Sequence, residues 1–377
     1  MIVHNRQRVS RLCFRILTFV AFVIIFAVTS ASAHPAWGIV VTSTGIVYFS
    51  DLETVWKIDR DGKLTVFRAG VNGRHVHELW IDDHDNIYGP DYSYDAATQR
   101  FINGVWKMTP DGQQTYLQPP TDRAGTGVSI WRDRVGNMYS IEQNNHTKTQ
   151  TLLLRRTPDG VVSTLAGGAY GHADGKGTAA KFSSVDAIVF GPDGNLYLTD
   201  GAYVRRVSMD GLVTTLAKDL TIRTSEDKPT LFGGTDAGLA GLSVDGNGNI
   251  YVADAGNRRL VKIANDSKVS IIYRLDPPYF PNGVFVTPAG DIYVLEFSFT
   301  PPGTTGSPRV RKFTTDGKNI LLATASSEAE QSSAPGASSG TTFGFVNKRF
   351  YIVLLLGAGL ITVLVFVWRR SQKQQRT

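Results

Sequence analysis

The sequence almost lacks cysteine: among its 377 residues, Cys13 is the only one. A chain with one cysteine cannot form an intramolecular disulfide, and it cannot supply the paired cysteines of a structural zinc site. Hydrophobic residues make up 42% and charged residues 19%, which is the composition of a globular protein. The 38 glycines follow no three-residue period, which excludes a collagen-like helix.

The middle of the chain also lacks an excess of positive charge. The formal net charge is +6, but residues 1–33 and 348–377 contain basic residues and no acidic ones. Between residues 34 and 347, 29 Lys and Arg stand against 33 Asp and Glu. Because binding through phosphate contacts needs a basic surface, we expect no nucleic-acid partner.

The N-terminal 33 residues have the three parts of a signal peptide. A basic start with Arg6 and Arg15 precedes the apolar run 16–28, and Ala31-Ser32-Ala33 follows. Small residues in this alternation are what a signal peptidase requires. We therefore predict a signal peptide over residues 1–33 with His34 as the mature start; an uncleaved anchor is the alternative.

The C-terminal segment predicts a single membrane span. Residues 350–368 carry no charge, and at about 1.5 Å rise per residue they nearly cross a hydrocarbon core of about 30 Å. More basic residues follow this run than precede it, so the positive-inside rule places the tail 369–377 in the cytoplasm. Residues 326–349, rich in Ser, Ala and Gly, are expected to form a flexible stalk. The expected location is therefore a single-pass membrane protein with residues 34–325 outside the cytoplasm.

Residues 34–325 contain six copies of one unit. Each unit has a tyrosine in a short apolar run, and the six tyrosines are Tyr48, Tyr88, Tyr139, Tyr197, Tyr251 and Tyr293. An acid follows three residues after each tyrosine, at Asp51, Asp91, Glu142, Asp200, Asp254 and Glu296. A base recurs before a later turn, at Lys57, Lys107, Arg155, Arg206, Lys262 and Lys312.

Each unit is expected to fold into four short strands, a to d. In the fifth unit these are 239–244, 250–253, 260–263 and 269–273, separated by turn residues. Four-stranded sheets repeated radially form a β-propeller, so we predict an all-β, six-bladed propeller over residues 34–325. Each unit begins with strand a and ends with strand d. Closure of the ring is therefore expected to depend on side-chain packing between blades one and six.

Two of the units resemble the NHL repeat. Unit four does so through residues 173–177 and 194–200, and unit five through residues 248–254 and 257–259. The resemblance implies an NHL-type propeller, a fold shared by binding modules, sensors, lactonases and lyases. Pro281-Asn282-Gly283 is similar to a step that supplies a metal ligand in gluconolactonase-type propellers. Those propellers also need a Glu at the mouth of blade one, where this chain has Trp37.

The start of strand a points to the mouth of the central channel. The equivalent positions are Trp37, His77, Val128, Asp186, Ala240 and Asn282. His77, Asp186 and Asn282 belong to alternate blades, and they could hold a polar ligand or a divalent cation, Ca²⁺ or Zn²⁺. Glu78 is adjacent and completes the candidate site. The alternative is that these residues only line a water-filled channel.

The other polar positions have structural interpretations. The acid after each tyrosine occurs in every unit, so we expect it to cap a turn or to pair with the recurrent base. His84, His146 and His172 lie in turns or loops and are expected to be solvated.

Long connections fall between strands b and c and between d and a, which share one face of a propeller. We therefore expect a membrane-anchored propeller that binds a protein or carbohydrate ligand through this face. A metal-dependent hydrolase or lyase and a purely structural module are the alternatives.

Overall fold

The computed structural model describes residues 36–325, except 96, 99, 122–129, 144–146, 228–237 and 299–306. Its strands form six antiparallel sheets, each built from one continuous stretch of chain, which confirms the six-bladed propeller. The predicted signal peptide, stalk, membrane span and tail lie outside the described residues. Within the part that is described, every helical segment falls short of the length and hydrophobicity that a bilayer crossing needs.

Blades one to three use the first twelve strands, and their strands pair in sequence order. The strands of blade one are β1 (Ile39–Val41), β2 (Val47–Ser50), β3 (Val55–Ile58) and β4 (Leu64–Arg68). The strands of blade two are β5 (Trp80–Ile81), β6 (Ile87–Asp95), β7 (Arg100–Met108) and β8 (Gln114–Thr121). The strands of blade three are β9 (Ile130–Arg132), β10 (Met138–Gln143), β11 (Gln150–Arg156) and β12 (Val162–Ala169).

Blade four departs from the four-stranded pattern, because the short strand β13 (Gly175–Lys176) pairs with its outermost strand. A 3-10 turn, η1 (Gly177–Ala179), follows β13. The other strands of blade four are β14 (Val185–Phe190), β15 (Leu196–Asp200), β16 (Tyr203–Val207) and β17 (Leu212–Ala217). The strands of blade five are β18 (Leu239–Val244), β19 (Ile250–Asp254), β20 (Arg259–Ile263) and β21 (Val269–Arg274). The strands of blade six are β22 (Tyr279–Val286), β23 (Ile292–Ser298), β24 (Arg309–Phe313) and β25 (Asn319–Thr324).

The ring closes by side-chain packing between blades six and one. Phe49 and Trp56 of blade one share one buried apolar cluster with Leu295 and Phe297 of blade six. Among the strands of the described residues, none is exchanged between the first and last blades. This confirms the expectation drawn from the order of the repeats, and burial of these large apolar side chains supplies the stabilising free energy of closure.

In blades two to five, the repeated tyrosine stabilises the turn between strands a and b. The hydroxyl of Tyr88 donates to Asp82 Oδ2 at 2.8 Å, and Asn86 Nδ2 donates to the same carboxylate. The same Tyr–Asp–Asn arrangement recurs in blades three, four and five. This network explains why a tyrosine, an asparagine and an aspartate recur at fixed spacing in the sequence.

The recurrent base pairs with the tyrosine and not with the acid. Tyr251 lies opposite Lys262 in the sheet, and the Lys262 ammonium lies 5.4 Å from the centre of the tyrosine ring. Tyr293 and Lys312 repeat this arrangement at 5.2 Å. The expectation that the acid pairs with this base is therefore wrong. Base and tyrosine are cross-strand neighbours on one side of the sheet, so the lysine covers the aromatic ring.

Candidate functional site

The two faces of the propeller differ in the length of their connections. Turns a–b and c–d are short and lie on one face, and connections b–c and d–a lie on the other, which we call the mouth face. Strands β6 and β7 of the mouth-face hairpin have nine residues each, where β2 and β3 of blade one have four. The longer hairpin therefore rises above the mouth face, and it carries Tyr94, which is 54% exposed.

A recurring β-bulge shapes the start of strand a. In blade four the sheet register shifts between Val185 and Ile188, so Asp186 and Ala187 occupy the bulge. In blade six the register shifts between Pro281 and Gly283, which leaves Asn282 as the extra residue. A bulge redirects a side chain from the sheet surface, and bulges are frequent beside functional sites. Asp186 and Asn282, two predicted site residues, both stand at this position.

Trp37 lies across the mouth of the channel. Its ring stacks on the imidazole of His77 at a centroid distance of 5.5 Å, and the backbone N–H of Trp37 donates to the carbonyl oxygen of His77 at 2.8 Å. The indole also packs against the apolar cluster of blades four and five, across the ring from blade one. Its buried Nε1–H has no hydrogen-bond acceptor among the described residues.

His77 and Asn282 flank the first described residues of the propeller. His77 is 1% exposed and contacts the rings of His75 and Tyr92 as well as that of Trp37. Asn282 is 5% exposed, and its Nδ2 donates to the carbonyl oxygen of Ala36 at 2.8 Å. Glu78 is 3% exposed and follows His77 directly. These three predicted site residues are therefore packed into the wall of the mouth.

Asp186 lies on the other side of the mouth, against Gly238 of blade five. Its Oδ2 is 3.5 Å from the position that a Cβ on Gly238 would occupy. The side chain is only partly buried, and no hydrogen bond to its carboxylate arises from the described residues. Burial, and secondly the charge of Asp200, raise the pKa of Asp186 to about 7. A partly buried carboxylate without hydrogen-bond donors favours its protonated form.

Convergence of His77, Asp186 and Asn282 on one point stays a prediction. The structure places His77 and Asn282 on either side of residues 36 and 37, and Asp186 beside blade five. Among the described residues, no group of three His, Cys, Asp or Glu side chains could hold a metal ion. Asp186 and Asn282 would offer oxygen atoms to a cation at this mouth. Oxygen donors of this kind suit Ca²⁺ better than Zn²⁺.

The acids that follow the tyrosines have structural roles. Asp254 binds the Nε of Arg259 at 2.7 Å, and it also caps the next turn by accepting from the backbone N–H of Asn257. Other acids of the series bind arginines in the same way: Asp91 with Arg68, Asp200 with Arg205, and Glu296 with Arg309 and Arg311. The turn-capping interpretation is confirmed, with arginines outside the repeat pattern as the charged partners.

His172 has partners that the sequence did not indicate. Its Nδ1 lies 3.3 Å from Oδ2 of the buried Asp200, and its ring stacks on Tyr203 at 4.0 Å. The expectation of a merely solvated side chain is therefore wrong for this residue. His84 is exposed in its turn, as expected, and His146 lies outside the described residues. The 28 residues that separate His172 from Asp200 give no local signal of this contact.

No family model matches this sequence, and no curated protein matches it. Solved structures similar to it include a virginiamycin B lyase from Staphylococcus aureus, which is 17% identical in sequence. That match covers 76% of this chain and 83% of the lyase chain, with a TM-score of 0.45. A putative gluconolactonase is 13% identical, with 70% and 86% covered and a TM-score of 0.46. The regucalcin of Agrobacterium tumefaciens strain C58 is 14% identical, with 61% and 71% covered and a TM-score of 0.39. At these values, none of the likenesses supports a statement about the activity of this chain.

Proposed function

We propose that this chain is a single-pass membrane protein whose extracytoplasmic propeller binds a protein or carbohydrate ligand at the mouth. The observation that supports this most is a pair of groups without partners. The buried Nε1–H of Trp37 has no acceptor, and the carboxylate of Asp186 has no donor, among the described residues. Buried polar groups are normally paired, so a ligand that pairs both would gain free energy.

The chemistry of this pair favours a carbohydrate over a protein ligand. A hydroxyl group can accept from the indole N–H and donate to the carboxylate, which is what the two groups require. The exposed ring of Tyr94, on the long hairpin above the mouth, offers an apolar surface for a sugar ring. Neighbouring hydroxyls of one sugar could therefore pair with Trp37 and Asp186.

A glycan array probed with the full-length protein in detergent tests the proposal. Affinity for the glycan captured is then measured by calorimetry for the wild type, Asp186→Asn and Trp37→Phe. Asp186→Asn should weaken binding at least tenfold, since a neutral amide oxygen is a weaker acceptor than an ionised carboxylate, and Trp37→Phe should weaken it through loss of the N–H. Asp219→Asn, at an exposed site on the same face, is the matched control. Unchanged affinity in both mouth variants would contradict the proposal.

The membrane anchor has its own test, which does not depend on ligand binding. The basic tail and the apolar run 350–368 motivate it. Protease added to intact cells or spheroplasts should release a fragment that covers the propeller. Protection of residues 34–347 together with digestion of the tail would place the propeller in the cytoplasm and refute this topology.

A metal-dependent hydrolase or lyase is the second candidate function. The observation that favours it is the placement of Asp186 and Asn282 at the same bulge position in alternate blades. When bound, a divalent cation would polarise a substrate carbonyl. Asp186 would hold it as the anionic ligand, with the Asn282 amide oxygen as a neutral one. Calcium titration by calorimetry should then give binding that Asp186→Asn abolishes and Asp219→Asn retains.

A further inference from the structure

An apolar groove lies between blades five and six, away from the mouth. Its volume is about 210 Å³, and its apolar walls are Leu260, Ile272 and Tyr273 of blade five and Ile292 and Phe313 of blade six. Ile292 begins β23 and Phe313 ends β24, so the groove adjoins the short turns and not the mouth face. It is therefore separate from the candidate site at the mouth.

The groove is the accessible edge of the apolar cluster that joins blades five and six. Leu260 is buried in this cluster, whereas Tyr273, Ile292 and Phe313 are only partly buried against it. The rings of Tyr273 and Phe313 meet across the boundary of the two blades, edge to face, at a centroid distance of 4.7 Å. Ile272, on the outermost strand of blade five, is 40% exposed. The walls thus expose aromatic and aliphatic surface between the blades.

A cation lines this apolar groove. Lys262 and Tyr251 complete the lining, and the Lys262 ammonium lies 5.4 Å from the centre of the tyrosine ring and bonds to the tyrosine hydroxyl. Asp245 accepts from the same hydroxyl at 3.3 Å but makes no ion pair with the ammonium. Among the described residues, no carboxylate lies within ion-pairing distance of the Lys262 ammonium.

The equivalent base of blade six has the partner that Lys262 lacks. Lys312 covers the tyrosine of its own blade in the same way, but its ammonium also binds Asp291 Oδ2 at 2.7 Å. Asp291 precedes the tyrosine of blade six by two residues, and Asn249 stands at that position in blade five. Blade five therefore keeps the cation and has a neutral amide in place of its anionic partner. The carboxylate of a ligand would supply the missing charge.

We propose that this groove binds a small aromatic carboxylate, with its ring against Tyr273 and Phe313 and its carboxylate on the Lys262 ammonium. The size fits one ring, because an apolar cavity of about 150 Å³ binds benzene, and this groove has about 210 Å³. Burial of the ring supplies most of the affinity. The charge-assisted hydrogen bond from Lys262 selects the anion over a neutral molecule of the same shape. Binding here does not depend on ligand binding at the mouth.

The probe is hydrocinnamate, compared with hydrocinnamyl alcohol, which has the same ring and chain without the charge. The full-length protein, labelled at its isoleucine methyl groups and held in lipid nanodiscs, is titrated with each compound at neutral pH. The methyl signals of Ile272 and Ile292, assigned with Ile272→Val and Ile292→Val, report on the groove itself. Lys262→Met removes the cation, and Lys312→Met is the matched control because Asp291 already holds that ammonium. Thermal unfolding shows whether each variant is folded.

Hydrocinnamate should shift both methyl signals with a dissociation constant of about 1 mM or lower, the range for a ligand of this size. The alcohol should bind the wild type at least about tenfold more weakly, because it loses the charge-assisted hydrogen bond. Hydrocinnamate should bind Lys262→Met more weakly by a similar factor and Lys312→Met as it binds the wild type.

Absence of any shift at millimolar hydrocinnamate, or full affinity in a folded Lys262→Met variant, would overturn the proposal. Equal affinity of the wild type for the acid and the alcohol would do the same, and this comparison decides even if Lys262→Met does not fold. Methyl signals that move with protein concentration in the absence of ligand would assign the groove to a second copy of this chain and would also overturn it.

Discussion

Asn282 of blade six donates its Nδ2 to the carbonyl oxygen of Ala36 at 2.8 Å, and 246 residues of chain separate the two. Both residues are buried, with Ala36 inaccessible to solvent. The bond therefore joins the start of the propeller to its last blade at the edge of the mouth. One side chain thus belongs both to the candidate site and to the closure of the ring.

Asn282→Ala should destabilise the propeller by about 1–3 kcal/mol, because it leaves the buried carbonyl of Ala36 without its donor. The measurement is the free energy of unfolding in urea. Asn265→Ala is the control, since Asn265 Nδ2 makes a similar bond to the carbonyl of Asn247 at an exposed turn. If both variants lost the same free energy of unfolding, the hydrogen bond at the mouth would contribute no more to closure of the ring than a bond at an exposed turn does.

Two bases on one strand of blade five should differ strongly in their contribution to stability. Arg259 binds the fully buried carboxylates of Asp254 and Asp227, at 2.7 and 2.6 Å, so Arg259→Met leaves two buried charges without this partner. We expect a loss of about 3–5 kcal/mol. Lys262 interacts with Tyr251 at the surface of the sheet and covers its ring, so Lys262→Met should cost less than about 1 kcal/mol. Chemical denaturation of both variants measures the difference, and comparable losses would contradict the assignment of the two bases.

Asp186 should make stability depend on pH in the direction opposite to that of a salt-bridged aspartate. Its pKa is about 7 in the folded chain, against about 3.9 for an unfolded aspartate. The folded state therefore binds more protons than the unfolded state between about pH 4 and pH 7. The stabilisation that the protonated Asp186 contributes is fully present below this range and is lost as the pH rises through it. Over this pH range, the free energy of unfolding of the wild type should fall by up to about 4 kcal/mol relative to that of Asp186→Asn.

The measurement is the melting temperature of both proteins from pH 4 to pH 8. As the pH rises, the melting temperature of the asparagine variant should increase relative to that of the wild type. If the two curves are parallel, or if the wild type becomes relatively more stable, ionisation of the carboxylate does not destabilise the fold. Asp219→Asn, on the exposed loop of the same face, should leave the curve unchanged.

The blades were predictable because their signals are local. Tyr251, Lys262 and the turn residues around them lie within one hairpin, and the four strands predicted for this unit match β18 to β21 to within one residue at each end. Strand β13 was not predicted. It has two residues, and it exists only because Gly175 meets Val213 of β17. A contact of that range leaves no periodic pattern in the sequence.

The candidate site was only partly predictable. Repeat register identified Asp186 and Asn282, since equivalent positions in a propeller face the same place. It could not reveal the bulges that turn these side chains, because a bulge depends on the partner strand. It also misassigned the partners of the acids. Tyr251 lies opposite Lys262 and Asp254 lies opposite Arg259 on the same pair of strands, so only the register of the sheet decides between the two bases.

The titration of Asp186 is the most direct test of the proposed binding at the mouth, because that binding depends on a carboxylate without donors among the described residues. Carbon-13 NMR of the aspartate carboxyl groups, with Asp186→Asn to assign the signal, gives its pKa in the protein without ligand. A midpoint near 7 is expected, because burial and then Asp200 raise the pKa to about 7. A midpoint near 4 would show a solvated or paired carboxylate and would contradict the proposed binding site.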